Sequence, residues 1–106
     1  MGSARKLPNP KRANAPLRCD YSKAFAKDWE RIERAGRQDL ARAKRGMLLL
    51  IANDGPLDAG WLDHALTGEL RGCREFHAGG DLLVMYERTA DAILFVRIGT
   101  HAELFE

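Results

Sequence analysis

Cysteine and histidine are both scarce in this 106-residue chain: two of the first, Cys19 and Cys73, and three of the second, His64, His77 and His101. The cysteines are far apart and show no metal-like spacing. That argues against a disulfide framework and for a reduced, cytoplasmic setting. Long apolar runs are missing too. The best of them, GMLLLIAN, is broken within eight residues, far short of the ~20 that cross a bilayer. No basic-then-apolar leader opens the chain. Acidic residues are thin in the first half: residues 1–50 hold 5 Asp+Glu against 13 Lys+Arg, and residues 51–106 reverse this with 10 against 4. Such asymmetry suits a polyanionic or acidic partner for the first half, or equally a pair of solvated basic helices.

What is present suffices for one small core, with 45% hydrophobic residues. Residues 1–16 are rich in Pro, Asn, Lys and Arg and are predicted to be a flexible basic arm, opened by Met1-Gly2-Ser3, which has the look of a cloning scar. The domain proper is expected over residues 17–106. LRCDY reads as a short strand. Ser22 is a helix N-cap, and Phe25, Trp29 and Ile32 form one stripe of a helix that stops near Gly36. A second helix starts about Asp39, with Leu40, Ala43, Met47, Leu50 and Ile51 on one face, and Asn53-Asp54-Gly55-Pro56 ends it. Gly46 within it costs roughly 1 kcal/mol relative to Ala. Residues 56–72 show no regular pattern. REFHA, DLLVMYER and DAILFVRIG then read as three strands joined by short hairpins. The expected fold class is α+β, in the order β-α-α-β-β-β: a helical hairpin packed on a small antiparallel sheet.

That order has a consequence for the histidines. His77 and Asp81 flank the Gly79-Gly80 hairpin, and His101 leaves the last strand at the same end of the meander. His64 lies in the irregular stretch, close enough in sequence to join them at ~3.3 Å per residue. A single strand-end histidine is more often a surface residue than a working one. Convergence of several with a carboxylate favours proton transfer, with zinc binding ranked below it because no short ligand spacing occurs. RNA supplies its own nucleophile, the 2′-hydroxyl. Its cleavage needs a base, an acid and positive charge on the phosphorane, with no obligatory metal or cofactor.

The spaced set Asp63-His64, Leu66, Gly68, Gly72, Arg74, His77, Asp81, Tyr86, Gly99-Thr100-His101 and Leu104-Phe105 resembles the YafQ-type branch of the RelE/ParE toxin superfamily, from Tyr21 to the C-terminus. The resemblance implies a RelE-like fold and a ribosome-dependent endoribonuclease that cleaves translated mRNA. It also implies a cognate antitoxin as partner, with operator DNA bound only by the toxin–antitoxin pair, and no membrane. His64, His77, Asp81 and His101 would be catalytic. His101 is the expected general acid, and Asp81 with His77 or His64 would activate the 2′-hydroxyl, which of them acts as base being open. Arg71, Arg74, Leu82 and Phe105 are the expected RNA contacts. Leu82 stands where relatives commonly carry an RNA-stacking aromatic, and Arg74 is equally a phosphate clamp or a structural ion-pair partner. The alternatives are a non-catalytic gyrase-binding module of the ParE kind and a degenerate antitoxin-binding module.

Overall fold

The computed structural model describes residues 14–37 and 39–106. The basic arm predicted over residues 1–16 falls, up to residue 13, outside the described residues. In order, the elements are β1 (Arg18–Tyr21), α1 (Lys23–Arg34), α2 (Leu40–Ala52), β2 (His64–Ala65), β3 (Arg74–His77), β4 (Leu82–Arg88), β5 (Ala92–Thr100) and α3 (His101–Phe105). The five strands form one sheet in the order β1-β5-β4-β3-β2. All neighbours are antiparallel except β1, which runs parallel to β5.

Two features depart from the sequence expectation. The stretch from Pro56 to Gly72 carries 3₁₀ turns at Ala59–Trp61 and Gly68–Leu70 and the two-residue strand β2 between them. Elements this short leave no periodic signal. The sheet is also mixed rather than wholly antiparallel. All four residues of β1 are exposed, so only pairing partners, and not burial alternation, define that strand's direction.

Helix α1 starts where Ser22 Oγ accepts from Phe25 N at 2.9 Å. The same hydroxyl donates to Val96 O at 2.7 Å, tying the cap to β5. The helices bury Phe25, Ile32, Ala43 and Leu50 against Phe76, Val84, Tyr86, Phe95 and Ile98 of the sheet. A β-bulge between Met85 and Tyr86 shifts the phase of β5, so Ile98 pairs with Val84 while Phe95 pairs with Tyr86. This shift explains why apolar residues of the last strand occupy both parities. Gly46 has its own reason. A Cβ there would lie 2.5 Å from the Phe76 ring and 2.9 Å from the Trp61 ring, so the helix accepts the propensity cost for close packing. Asn53 ends α2 in the left-handed region (φ 59°). Its side chain donates to Ala15 O at 2.9 Å and accepts from Arg88 at 3.1 Å.

The edge of β5 beyond β1 is closed by Asp28 of α1. Its carboxylate accepts from Ile98 N at 3.1 Å and from Arg97 Nε and Nη2 at 2.6 and 3.0 Å. Burial would raise the Asp28 pKa, but the hydrogen bonds from Arg97 and Ile98 outweigh it and hold the carboxyl below its ordinary value. No described helix is long and apolar enough to cross a membrane.

Candidate active site

Register places the candidate residues. His64 on β2 pairs with Glu75 on β3, which pairs with Met85 on β4, which pairs with Arg97 on β5. Directly opposed residues share a face, so imidazole, carboxylate and guanidinium stand in one row across the sheet. His77, two residues beyond Glu75, shares its face and begins the next row, His77–Leu83–Gly99.

Within this patch, His64 Nε2 lies 3.2 Å and His77 Nε2 3.9 Å from the same Glu75 Oε2. The two rings are 6.1 Å apart, centroid to centroid. Glu75 is buried, with its side chain 8% exposed, and its other oxygen, Oε1, has no hydrogen-bond partner among the described residues. The ring of His64 is oriented from behind: Nδ1 is 2.8 Å from Leu62 O. A carbonyl only accepts, so Nδ1 carries the hydrogen and Nε2 faces the carboxylate. Leu62 adopts a left-handed conformation (φ 53°), uncommon for a residue other than glycine; conformations of that kind cluster at functional sites.

His101 opens α3, and the tail is ordered. Thr100 and Glu103 form a capping box, with Glu103 N donating to Thr100 Oγ1 at 3.1 Å and Thr100 N to Glu103 Oε1 at 2.8 Å. Glu103 Oε2 also accepts from Arg31 of α1 at 2.6 Å. Gly99 lets the tail fold back, since a Cβ there would meet Glu103 Oε1 at 2.9 Å and Leu104 Cδ2 at 3.2 Å. Leu104 and Phe105 are half-buried and anchor the tail. The His101 ring packs on Phe105 at 5.0 Å, and its Nδ1 is 3.6 Å from Glu106. Among the described residues no hydrogen bond or ion pair joins it to His77 or Asp81. Its backbone is nonetheless at their end of the sheet, since Thr100 pairs with Leu82.

The remaining candidates divide. Asp81 is exposed and bound by Arg37 at 3.1 Å, which in turn bonds Asp39 at 2.7 Å. Arg74 takes the structural alternative: its Nε lies 3.3 Å from Asp63 and 3.2 Å from the Tyr86 hydroxyl, which donates to Asp63 at 2.7 Å. This triad pins the 56–72 stretch to the sheet. Burial first, then the hydrogen bond to Asp63, pushes the Tyr86 hydroxyl well above its ordinary pKa. Leu82 is fully buried in the core, so its side chain is not presented to a ligand here. Arg71 is exposed at the end of the second 3₁₀ turn. Two residues of the patch, Glu75 and Arg97, were missed from the sequence. The signal for Glu75 was there, as a carboxylate sharing strand parity with His77 on the same short strand.

Comparison with known proteins identifies the class as bacterial toxins of type II toxin–antitoxin systems. The family model described as "Bacterial toxin of type II toxin-antitoxin system, YafQ" matches residues 17–106. The mRNA interferase toxin YafQ of Escherichia coli K12 is 37% identical over 86 residues, which is 81% of this chain and 92% of that protein. Among solved structures, the E. coli DinJ–YafQ toxin–antitoxin complex matches with a TM-score of 0.79 and 34% identity, over 86% of this chain and 99% of that one. A metal-bound toxin from Helicobacter pylori matches with a TM-score of 0.72 and 33% identity, over 84% of this chain and 99% of that one. This chain belongs to the YafQ family of mRNA interferases, which are endoribonucleases.

Proposed function

We propose that this toxin cleaves translated mRNA on the ribosome by attack of the 2′-hydroxyl on the adjacent phosphate, with Glu75 as the proton acceptor. The observation that carries this reading is the Glu75 carboxylate held between His64 and His77 with one buried oxygen unpartnered among the described residues. A hydroxyl donor from RNA supplies the missing partner. The two imidazoles hold the carboxylate in place and add positive charge as the phosphorane forms. Arg97, in the same row and fixed by Asp28, supplies further charge to the phosphate. His101 protonates the leaving 5′-oxygen, carried to the phosphate by α3, and Phe105 stacks on a base. Asp81 with Arg37 lines the hairpin end, where the basic helices meet the RNA backbone, and Arg71 meets it from the opposite end of β3. The products are a 2′,3′-cyclic phosphate, or its opened 3′-phosphate, and a 5′-hydroxyl.

The partners proposed are a cognate antitoxin, the ribosome with its mRNA, and operator DNA only through the toxin–antitoxin pair. The DinJ complex of the E. coli relative supports the first. The test is in vitro translation of a defined message with added toxin. Cleavage within the reading frame supports the proposal. Intact message together with inhibited gyrase would instead assign the ParE-like activity.

A further inference from the structure

Strand β2 has only two residues, His64 and Ala65, paired with Glu75 and Arg74. A ladder that short does little to fix its own register, and a slip of one residue would turn His64 to the other face of the sheet. Trp61 anchors the approach to β2 through its edge-on contact with Phe76, 5.6 Å between centroids. Apolar contact is non-directional, however, and does not choose a face. The directional hold comes from Asp63. While His64 turns outward to Glu75, the Asp63 carboxylate turns inward, accepting from the Tyr86 hydroxyl at 2.7 Å and lying 3.3 Å from Arg74 Nε. Tyr86 is itself fixed in the core, with the Phe76 and Phe95 rings 6.3 and 6.4 Å away. Asp63 thereby holds the Leu62–Asp63 peptide, whose carbonyl lies 2.8 Å from His64 Nδ1. The left-handed backbone of Leu62 (φ 53°) is of a kind that persists only where its surroundings over-determine it. The Tyr86–Asp63 bond on one side and the His64 contact on the other supply those constraints.

We propose that Tyr86 and Asp63 are positioning residues for RNA cleavage: their hydrogen bond on the inner face of the sheet aims the Leu62 carbonyl at His64 and so seats the imidazole against Glu75 on the outer face. The effect on cleavage rests on the reading of Glu75, clasped by His64 and His77, as proton acceptor. Tyr86 and Asp63 act through His64 and not on the RNA. When the Leu62 carbonyl is displaced, the ring hydrogen is no longer held on Nδ1, and the Glu75 carboxylate draws it to Nε2. The His64 side chain, 50% exposed, is then free to turn away from its seat.

The experiment uses the full chain with ¹⁵N-labelled histidine, its ring nitrogens observed by NMR at about pH 8, above the ordinary histidine value of about 6.5. His64→Gln assigns the His64 signals among the three histidines. Cleavage of a defined message on programmed ribosomes is measured separately, as kcat and KM. In the wild type the His64 hydrogen is expected on Nδ1. Tyr86→Phe keeps the ring and removes only the hydroxyl. The hydrogen should then move to Nε2, and kcat should fall roughly 10–10²-fold while KM holds within about twofold. Asp63→Ala should do the same, and the double variant should lose no more than Asp63→Ala alone. Asp63→Asn keeps an acceptor for the Tyr86 hydroxyl and should recover part of the loss. Circular dichroism checks folding, and if Tyr86→Phe does not fold, the two Asp63 variants carry the comparison. Ring state and kcat unchanged in Tyr86→Phe and Asp63→Ala overturn the proposal. So does a fall in kcat with the hydrogen still on Nδ1, which marks a merely structural loss. A moved hydrogen with kcat unchanged overturns the role in cleavage. If the wild type never cleaves RNA, the proposed catalysis fails, while the ring signal still decides whether Tyr86 and Asp63 seat His64.

Discussion

A carboxylate enclosed by two imidazoles has few residue substitutes. Glu75→Gln keeps the size of the side chain and removes its basicity, so the expected outcome is a fall in cleavage of about 10²–10⁴-fold with little change in Tm. His101→Ala should cost a similar ~10²–10⁴-fold through loss of the leaving-group proton. A message whose leaving oxygen needs no protonation, such as a 5′-phosphorothiolate analogue, should rescue the His101 variant and not the Glu75 one. Glu75 also shows the limit of residue-level reading. His77 and His64 stand out in the sequence because histidine is rare here, whereas Glu75 is one of fifteen acidic residues. Its role became visible only when β2 set His64 opposite it. Leu82 makes the converse point. The family resemblance implied an RNA contact there, but strand parity turns it inward, where it is fully buried.

At the scale of elements, α3 is fixed by side chains that come from two distant parts of the chain. The Arg31–Glu103 pair is partly exposed, at 43% and 40%, so it adds less than about 1 kcal/mol to stability. Arg31 also donates to Asp28 at 3.3 Å, so Arg31→Ala should lower Tm only modestly, yet reduce cleavage severalfold because α3 carries His101. Equal loss of Tm and activity would contradict a positioning role. Gly46 is argued from packing. Alanine there gains about 1 kcal/mol of helix propensity, but its Cβ would enter the space of buried Phe76 and Trp61 rings, which costs about 1–3 kcal/mol. Urea unfolding should show Gly46→Ala to be the less stable protein. The helices and the three long strands were legible because each carries a cap or an apolar period. Strand β2 and the direction of β1 were not, since two residues have no period and an all-exposed strand has no inward face.

For the whole molecule, Asp28 joins the helical layer to the end of β5 that carries the site. Asp28 is buried and Arg97 is 37% exposed, so Asp28→Ala should cost about 3 kcal/mol, the low end for a broken buried pair. Its folded pKa lies below the unfolded value of about 3.9. A depressed carboxyl pKa stabilises the fold above the unfolded value, and that contribution is lost as pH falls through the folded one. Thermal unfolding followed below about pH 4 should therefore show a steeper loss for the wild type than for Asp28→Asn. The charge asymmetry seen in the sequence has a structural counterpart: α1 and all but the last two residues of α2 come from the basic half, and β2 to α3 from the acidic half. The acidic half thus supplies Glu75, the proposed proton acceptor, and all three histidines.

Glu75, clasped by His64 and His77, is proposed to take the 2′-hydroxyl proton. The direct measurement is translation of one end-labelled message with wild-type and Glu75→Gln toxin, resolving both the cleavage rate and the chemistry of the new ends. Expected are 2′,3′-cyclic phosphate and 5′-hydroxyl ends from the wild type, and a rate about 10²–10⁴-fold lower from the folded variant. Equal rates from the two proteins, or a 3′-hydroxyl on the product, would contradict it.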